Sequence, residues 1–213
     1  MNYLQMKKKA MLNYVSGGRL PSEYQEVEWI GSTNYELNYI DSGIVADDDV
    51  GIKCTMEFNS TSTNMWTGGG MLDDTTRLGT PVALNSTQLN FNWKKFNVIN
   101  VPYSLDTPYE FKGNFLNDRK QTFGGVDYMT NISTISASKN IYLFTMNKNG
   151  VPQLMANTKI YSYQLSKGAD IVRDFVPCYR KADGEIGLYD TVTKIFYTNQ
   201  GSGTFTKGQD VWH

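Results

Sequence analysis

The sequence contains very little of what catalytic triads and zinc sites require. Its 213 residues include one histidine, His213, and two cysteines, Cys54 and Cys178. A Ser or Cys nucleophile normally needs a histidine base, and a zinc site needs clustered His and Cys ligands. The two cysteines are also too far apart in sequence for a metal knuckle or a redox pair. We therefore expect no catalytic residues, no zinc and two buried thiols.

Net charge and long apolar segments are also scarce. Lys and Arg together number 20 and Asp and Glu 21, so the formal net charge is -1. Without an overall basic field, nucleic acid is not an expected partner. No window approaches the run of about 20 apolar residues that spans a bilayer, and the first residues are basic without a following apolar segment. The sequence predicts neither membrane insertion nor classical secretion.

Alternation of apolar and polar residues is the main periodic signal. The stretch "VGIKCTMEF" places five apolar side chains on one side of an extended chain: Val50, Ile52, Cys54, Met56 and Phe58. "LNFNW" repeats this period of two, and "KIYSYQL" predicts one face formed by Tyr161, Tyr163 and Leu165. Helical spacing occurs only weakly, at "QMKKKAMLNYV". Period two is typical of half-buried strands, and similar runs elsewhere bring the expected number to about a dozen.

This pattern predicts an all-β protein, an antiparallel two-sheet β-sandwich with jelly-roll topology. A compositional break at "VSGGR" divides the chain into a basic, Met-rich N-terminal arm (residues 1–19), the sandwich (20–208) and a C-terminal tail (209–213). We expect the arm to become ordered on contact with a partner. We expect Trp29 and Trp93 in the core of the sandwich.

The glycine-rich stretch "DGEIGLYDTVTKIFYTNQGSGTFTKG" invites a phosphate-loop interpretation. Such a loop needs a helix after its glycines, whereas this one is followed by "TFTKGQDVW", with residues typical of a strand. We predict two consecutive hairpins instead, with Asp190 initiating one turn. The glycines of "NQGSG" would supply positive φ angles in the other.

Two segments resemble motifs of a known family. "LPSEYQEVEWIGSTNYELNYIDSGI" and "FVPCYRKADGEIGLYDTVTKIFYTNQGSGTF" resemble the opening and closing motifs of a concanavalin A-like, laminin-G-like jelly-roll family of gut bacteria and their phages. The resemblance spans about residues 20–208, with a longer turn before Ser42 and Ser42 where Thr is usual. It implies the jelly-roll fold. Because such sandwiches serve as lectins, glycosidases, adhesins and virion parts, the fold alone does not select a function.

Three features are candidate binding sites. Asp47, Asp48 and Asp49 lie between two predicted strands, where carboxylates could bind calcium or form a solvated acidic turn. Sugars stack on exposed aromatics beside polar side chains, and the candidates for such a site are Trp66, Tyr128 and Asn64. In the arm, a basic partner-binding segment contains four residues of interest: Lys7, Lys8, Lys9 and Met11.

Paired carboxylates are the remaining enzymatic signal. Glycosidases on such sandwiches use carboxylates a few residues apart on one strand. The nearest pairs are Glu26 with Glu28 and Asp183 with Glu185, and neither has the full spacing. We expect Glu26 and Glu28 on the solvent face of an edge strand, and Asp183 in a turn.

These observations lead to one functional expectation and two alternatives. We expect a non-enzymatic, virion-associated structural or attachment protein of a phage, a capsid decoration or head-fibre component that displays a glycan-binding jelly roll. The resemblance implies a homo-oligomer that contacts other virion proteins through the arm and a host surface glycan through the sandwich. The alternatives are a carbohydrate-binding, lectin-like module of the bacterial cell surface, and a glycoside hydrolase or lyase with a non-standard site.

Overall fold

A computed structural model describes residues 19–32, 36–60, 67–73, 76–85, 88–93, 95–130, 132, 137–155 and 157–213. The first ten strands are β1 (Tyr24–Glu26), β2 (Ile30–Ser32), β3 (Ile40–Val45), β4 (Val50–Phe58), β5 (Gly68–Asp73), β6 (Thr76–Gly79), β7 (Val82–Asn85), β8 (Gln88–Trp93), β9 (Lys95–Asn100) and β10 (Pro108–Gly113). A 3₁₀ turn at Phe115–Asn117 precedes β11 (Lys120–Phe123), β12 (Val126–Thr130), β13 (Asn140–Leu143), β14 (Met146–Lys148), β15 (Val151–Gln153), β16 (Thr158–Lys167), β17 (Asp170–Arg180), β18 (Ile186–Asp190), β19 (Ile195–Thr198) and β20 (Thr206–Lys207).

The strands form two sheets packed as a sandwich, which confirms the predicted all-β class. The larger sheet has the order β12-β11-β10-β4-β16-β17-β18-β19, and the smaller has the order β15-β14-β5-β6-β8-β7. All recorded pairings are antiparallel except β5 with β14, where Met146 lies opposite Gly69. The jelly-roll topology stays a prediction.

The alternating pattern of β4 determines which side chains enter the core. Its five apolar residues are all buried, at most 3 % exposed, as the sequence predicts. In β8, the predicted inward face is also buried: Leu89, Phe91 and Trp93. Cys54 and Cys178 are buried free thiols, as expected, and burial raises the pKa of both, that of Cys178 to about 12. Neither thiol is therefore activated for chemistry at neutral pH.

One predicted face is wrong in β16. Tyr163 and Leu165 are buried, but Tyr161 lies on the opposite, outward face, because a β-bulge shifts the register against β4 between Ile160 and Ser162. The bulge inserts one residue and reverses the alternation. As a result, Ile160 takes the core position that the regular pattern gives to Tyr161.

The larger sheet forks where β16 and β17 separate, and strands from the N-terminal and C-terminal segments of the chain pair there. β16 and β17 pair with each other only from Tyr163 to Lys167, and beyond this they separate. β1 pairs with β17, β2 pairs with β16, and β20 pairs with β2. The tail continues these contacts, since Val211 N donates to Glu26 O and Asp210 bridges to Val27.

The structure changes the interpretation of "YQEVEWI". Its strands β1 and β2 are separate, so Glu26 lies in a strand and Glu28 does not. The Glu26 side chain is 15 % exposed, forms an ion pair with Arg19 and lies 3.2 Å from His213 Nε2. Trp29 is not part of the core cluster: Lys159 Nζ lies 4.8 Å from its ring centroid. Glu26 and Glu28 are partly exposed and alternate with the buried residues Gln25 and Val27, so the predicted outer face fits. The predicted strand position of Glu28 and the predicted core position of Trp29 are wrong.

Candidate functional site

An open cleft lies where the closing turns of the larger sheet meet the segment before β3. Its volume is about 250 Å³, and it is lined by Asp183, Gly184, Glu185, Ile186, Asn199, Gly203, Thr204 and Phe205. We call it the C-terminal cleft. It combines exposed carboxylates at its mouth with two apolar side chains, Ile186 and Phe205, and Phe205 packs on Phe144 with ring centroids 4.7 Å apart.

The turn between β17 and β18 forms one wall of the C-terminal cleft. Asp183 Oδ1 accepts a hydrogen bond from Glu185 N, so Asp183 is a turn residue as predicted. Gly184 adopts φ +74°, and a Cβ built on it meets no atom within 4 Å. Glycine is favoured here by the left-handed backbone conformation. The turn therefore holds the Asp183 and Glu185 side chains at the mouth of the cleft.

The loop after β19 forms the opposite wall, and its glycines serve a purpose that the sequence does not reveal. A Cβ on Gly201 would lie 1.8 Å from Leu37 O, and one on Gly203 would lie 2.6 Å from Asn38 Oδ1. Neither glycine has positive φ. The expected positive φ in "NQGSG" is therefore wrong, since close packing against the segment before β3 is what requires glycine.

Asn199 holds this loop in place. Its Nδ2 donates to Asn38 Oδ1 (2.8 Å) and to Gly203 O (2.6 Å). Its Oδ1 accepts hydrogen bonds from Tyr39 N (3.0 Å) and Gly201 N (2.9 Å). All four bonds join the loop to itself or to the segment before β3. Asn199 is therefore a positioning residue for the cleft wall.

Asn38 lies directly behind the Gly203 wall with an unused donor. The residue is fully buried, and its Nδ2 has no acceptor within the described part of the chain. Its Oδ1 is already used by Asn199. A buried donor without a partner is uncommon in native structures. The Asn38 atom nearest the Gly203 wall is its amide oxygen, since a Cβ built on Gly203 would lie 2.6 Å from Oδ1.

The charges around the C-terminal cleft are mostly negative. The Arg180 guanidinium donates to both oxygens of Asp183, at 2.7–3.1 Å, and this bond with the Glu185 N–H lowers the pKa of Asp183. Glu36 Oε2 accepts from Thr204 N at 3.2 Å. Among the described residues, none forms a hydrogen bond or ion pair with the Glu185 carboxylate. Glu185 is thus the acceptor left for a ligand.

The predicted acidic turn is arranged around a lysine. Lys167 Nζ lies 3.0 Å from Asp47 Oδ2 and 3.8 Å from Asp49 Oδ1. Asp48 contributes its backbone oxygen, 3.5 Å from Asn114 Nδ2. Over the described ranges, no three His, Cys, Asp or Glu side chains are grouped as metal ligands. Calcium binding by this turn stays a prediction in which the metal would have to displace Lys167.

The predicted aromatic site and the arm are only partly described. Tyr128 lies in β12, half-buried, with its ring centroid 5.7 Å from that of Phe91 and packed against the core. Trp66, Asn64 and the four arm residues (Lys7, Lys8, Lys9 and Met11) lie outside the described residues. The most exposed of the large apolar side chains in the described part is instead Trp212, at 77 %.

Sequence reasoning also missed a buried charged cluster on the outward face of the larger sheet. The Glu57 carboxylate, 4 % exposed, accepts hydrogen bonds from Lys159 Nζ, Asn59 Nδ2 (2.7 Å) and Tyr161 OH (2.6 Å). Asn59 Nδ2 also donates to Asp106 Oδ1 at 2.7 Å. We call this set the Glu57 cluster. Its carboxylate is almost closed to solvent and already has three donors, so it stabilises the sheet and leaves little access for a substrate.

We compared the chain with protein-family models, curated proteins and solved structures, and found no match in any of the three. Its function is therefore inferred from the chain's own geometry and from the resemblance of its two terminal motifs. Within the described residues, no helix is both long and apolar enough to cross a bilayer.

The elements of the C-terminal cleft were visible in the sequence only in part. The pair Asp183 and Glu185 stood out as closely spaced carboxylates. Glu36 and Asn38 did not, because their partners in the opposite wall, Thr204 and Asn199, are 168 and 161 residues away in the sequence. Local patterns predict turns, but they do not predict which distant segment packs against them.

Proposed function

We propose that this chain is a non-enzymatic glycan-binding sandwich that serves as an attachment or structural protein of a phage particle. The observation that carries the glycan-binding part is the C-terminal cleft. It offers the Glu185 carboxylate as an acceptor, the Thr204 hydroxyl as a donor, and the apolar side chains of Ile186 and Phe205. Sugars present hydroxyl groups at their edges and C–H groups on their faces, which such a mixed surface suits.

The particle location rests on the motif resemblance. The same resemblance is the reason to propose self-association and contact with other virion proteins through the arm. The bacterial-surface lectin shares the glycan-binding half of the proposal and differs only in location. Incorporation of the tagged chain into phage particles, and its loss when residues 1–19 are deleted, is the expected result. If phage particles form but do not contain the chain, the particle location is wrong and the bacterial-surface lectin remains as the alternative.

The pKa of Asp183 argues against a role for this residue as the acid of a glycosidase. A glycosidase needs a carboxylic acid that stays protonated near neutral pH, which requires a raised pKa. Arg180 lowers the pKa of Asp183 instead, so that side chain stays ionised. Release of reducing ends from host polysaccharide, abolished by Glu185→Gln, would overturn the non-enzymatic assignment.

The glycan-binding part is tested on a glycan array with the full chain. We expect Glu185→Ala to lower the signal at least about tenfold, the effect of losing one charge-assisted hydrogen bond. Glu110→Ala is the matched control, because the Glu110 side chain is also exposed (42 %) but pairs with Lys53 on β4 and with Lys112 on its own strand, β10. Equal losses in both variants would contradict the cleft assignment. Loss only in Trp212→Ala would move the site to the exposed tail.

A further inference from the structure

We propose that two copies of this chain associate through β19, the strand at one edge of the larger sheet. The two copies of β19 pair antiparallel about a two-fold axis, so that the larger sheets of both copies become one continuous sheet. This inference rests on the proposed function, because it names the surface for the self-association proposed there. It does not depend on the glycan-binding part.

The two edges of the larger sheet differ in how they are protected. β12, at one edge, carries Asp127, which pairs with Lys120 on β11 at 2.8 Å. A register shift between Gln121 and Thr122 also interrupts the pairing of β11 with β12. Charges and bulges are common means by which edge strands avoid pairing with other chains. β19 has the sequence Ile-Phe-Tyr-Thr, without a charged residue or a proline, so its edge lacks this protection.

The main-chain groups on the free side of β19 are available for a further strand. β19 pairs with β18 over its whole length, since Ile195 lies opposite Asp190 and Thr198 opposite Gly187. The described residues supply no other backbone hydrogen bond to β19. In an antiparallel ladder, every second residue directs its N–H and C=O groups away from the neighbouring strand. A second copy of β19 supplies both the donors and the acceptors that these groups need.

The hairpin of β18 and β19 also exposes apolar side chains. Val192 in its turn and Ile195 at the start of β19 are both among the exposed large apolar residues. The residues of β19 are β-branched or aromatic, the types that are enriched in strands. Covering apolar surface favours association. Main-chain pairing along β19 would therefore be accompanied by burial of Ile195.

Charges at the two ends of β19 are complementary. Lys194 directly precedes β19, is exposed, and has no ion pair within the described part of the chain. Glu185 lies two residues before Gly187, which pairs with the last residue of β19. Arg180 attracts Glu185 only through its field, because its hydrogen bonds go to Asp183. Antiparallel pairing brings the start of one β19 to the end of the other. Lys194 of each copy then lies at the same end of the interface as Glu185 of the other, which favours self-pairing.

The test measures the dissociation constant of the full chain by sedimentation velocity over about a hundredfold range of protein concentration. We expect a reversible dimer. Ile195→Lys places a charge on the open edge and should raise the dissociation constant at least about tenfold. Val126→Lys is the matched control, because Val126 is equally exposed (53 % against 51 % for Ile195) but lies on β12 at the other edge. It should leave the dissociation constant unchanged.

A charge exchange tests the interface without changing β19 itself. Lys194→Glu should raise the dissociation constant about fivefold in low salt, the effect of losing two exposed ion pairs. Combining it with Glu185→Lys should restore the dimer, because each end then carries the opposite charge. High salt should reduce the loss, since it screens exposed charges.

The outcomes distinguish this inference from the proposed function. An oligomer that Ile195→Lys leaves intact, or that Val126→Lys weakens equally, would show that β19 is not the interface while self-association itself stands. Failure of Glu185→Lys to rescue Lys194→Glu would contradict the antiparallel arrangement. A chain that stays monomeric at every concentration would overturn both this inference and the self-association in the proposed function.

Discussion

At each end of the strand pair β4 and β16, a lysine contacts one or two carboxylates. The two ends differ sharply in how far these groups are exposed to solvent. At one end, Lys159 donates to the Glu57 carboxylate, which is 4 % exposed. At the other, Lys167 lies between Asp47 and Asp49, with side-chain exposures of 47 %, 29 % and 51 %. The same chemistry is thus present in a buried and in a solvated form on one pair of strands.

Burial changes what each charge contributes. A solvated ion pair contributes about 0–1 kcal/mol, because water already stabilises both ions. A buried carboxylate loses its hydration and depends on protein donors, so removing one partner costs about 3–5 kcal/mol. Glu57 has three donors, two of them from β16 and one from the residue after β4. The Glu57 cluster therefore ties β4 and β16 together, whereas the acidic turn contributes little to stability.

Glu57→Ala should break this comparison most strongly. We expect it to lower the free energy of unfolding by about 3–5 kcal/mol, because Lys159 and Tyr161 remain largely buried without their acceptor. Urea denaturation measures the change. Asp47→Ala at the other end of the strand pair is the control and should cost no more than about 1 kcal/mol. Equal losses at the two ends would show that burial is not the difference between them.

Tyr161→Phe should have the next largest effect. It removes the hydroxyl that donates to Glu57 Oε2 and keeps the ring, so we expect a loss of about 1.5–3 kcal/mol, the range for a hydrogen bond to a charged group. Tyr128→Phe is the matched control, since its ring packs on Phe91. That control should change stability by less than about 0.5 kcal/mol. A neutral Tyr161→Phe would mean that Lys159 and Asn59 satisfy Glu57 without it.

The contrast between these ends also shows how far sequence can predict this protein. The alternation in β4 correctly predicts its buried face, because strand geometry fixes side chains at every second position. The same rule fails for Tyr161, since the bulge between Ile160 and Ser162 depends on pairing with β4 and has no local sequence signal. The Glu57 cluster was not predicted, because it depends on the outward position that the bulge gives to Tyr161. Its tyrosine, Tyr161, was predicted to share a face with Tyr163 and Leu165.

The C-terminal cleft has the same limitation. The turn at Asp183 and the turn initiated by Asp190 were both predictable, because their side chains hydrogen-bond to backbone two or three residues away. The packing of Gly201 and Gly203 on Leu37 and Asn38 was not, because it joins distant parts of the chain. The sequence therefore predicts the turns that border the cleft, whereas the opposite wall depends on contacts between distant segments.

Lys167→Met sharpens the comparison at its solvated end. We expect a loss of less than about 1 kcal/mol in low salt, because the lysine neutralises two carboxylates that water also stabilises. At about 1 M salt the Debye length falls to about 3 Å, so the difference from the unsubstituted chain should nearly vanish. Lys159→Met is the paired variant. Its loss should be larger and should change little with salt, since its partner Glu57 is buried.

The smallest effect is a pH dependence confined to the acidic turn. The pKa of Asp49 is raised above 3.8, chiefly by its hydrogen bond with Asp47 and then by burial, so the folded state keeps the Asp49 proton to a higher pH than the unfolded chain. Between 3.8 and the raised value the folded state binds more protons than the unfolded one, and stability falls as pH rises through that interval. Asp49→Asn should remove this decline in stability, as measured by denaturation at a series of pH values from about 3.5 to 7.

Asp183→Asn is the control with the opposite sign, because the pKa of this carboxyl is lowered. Its stabilisation is present above 3.8 and is lost as pH falls through the lowered value, so the variant should change the pH dependence in the opposite direction. The same slope in the Asp49→Asn variant and the unsubstituted chain would show that Lys167 keeps both carboxylates of the turn ionised.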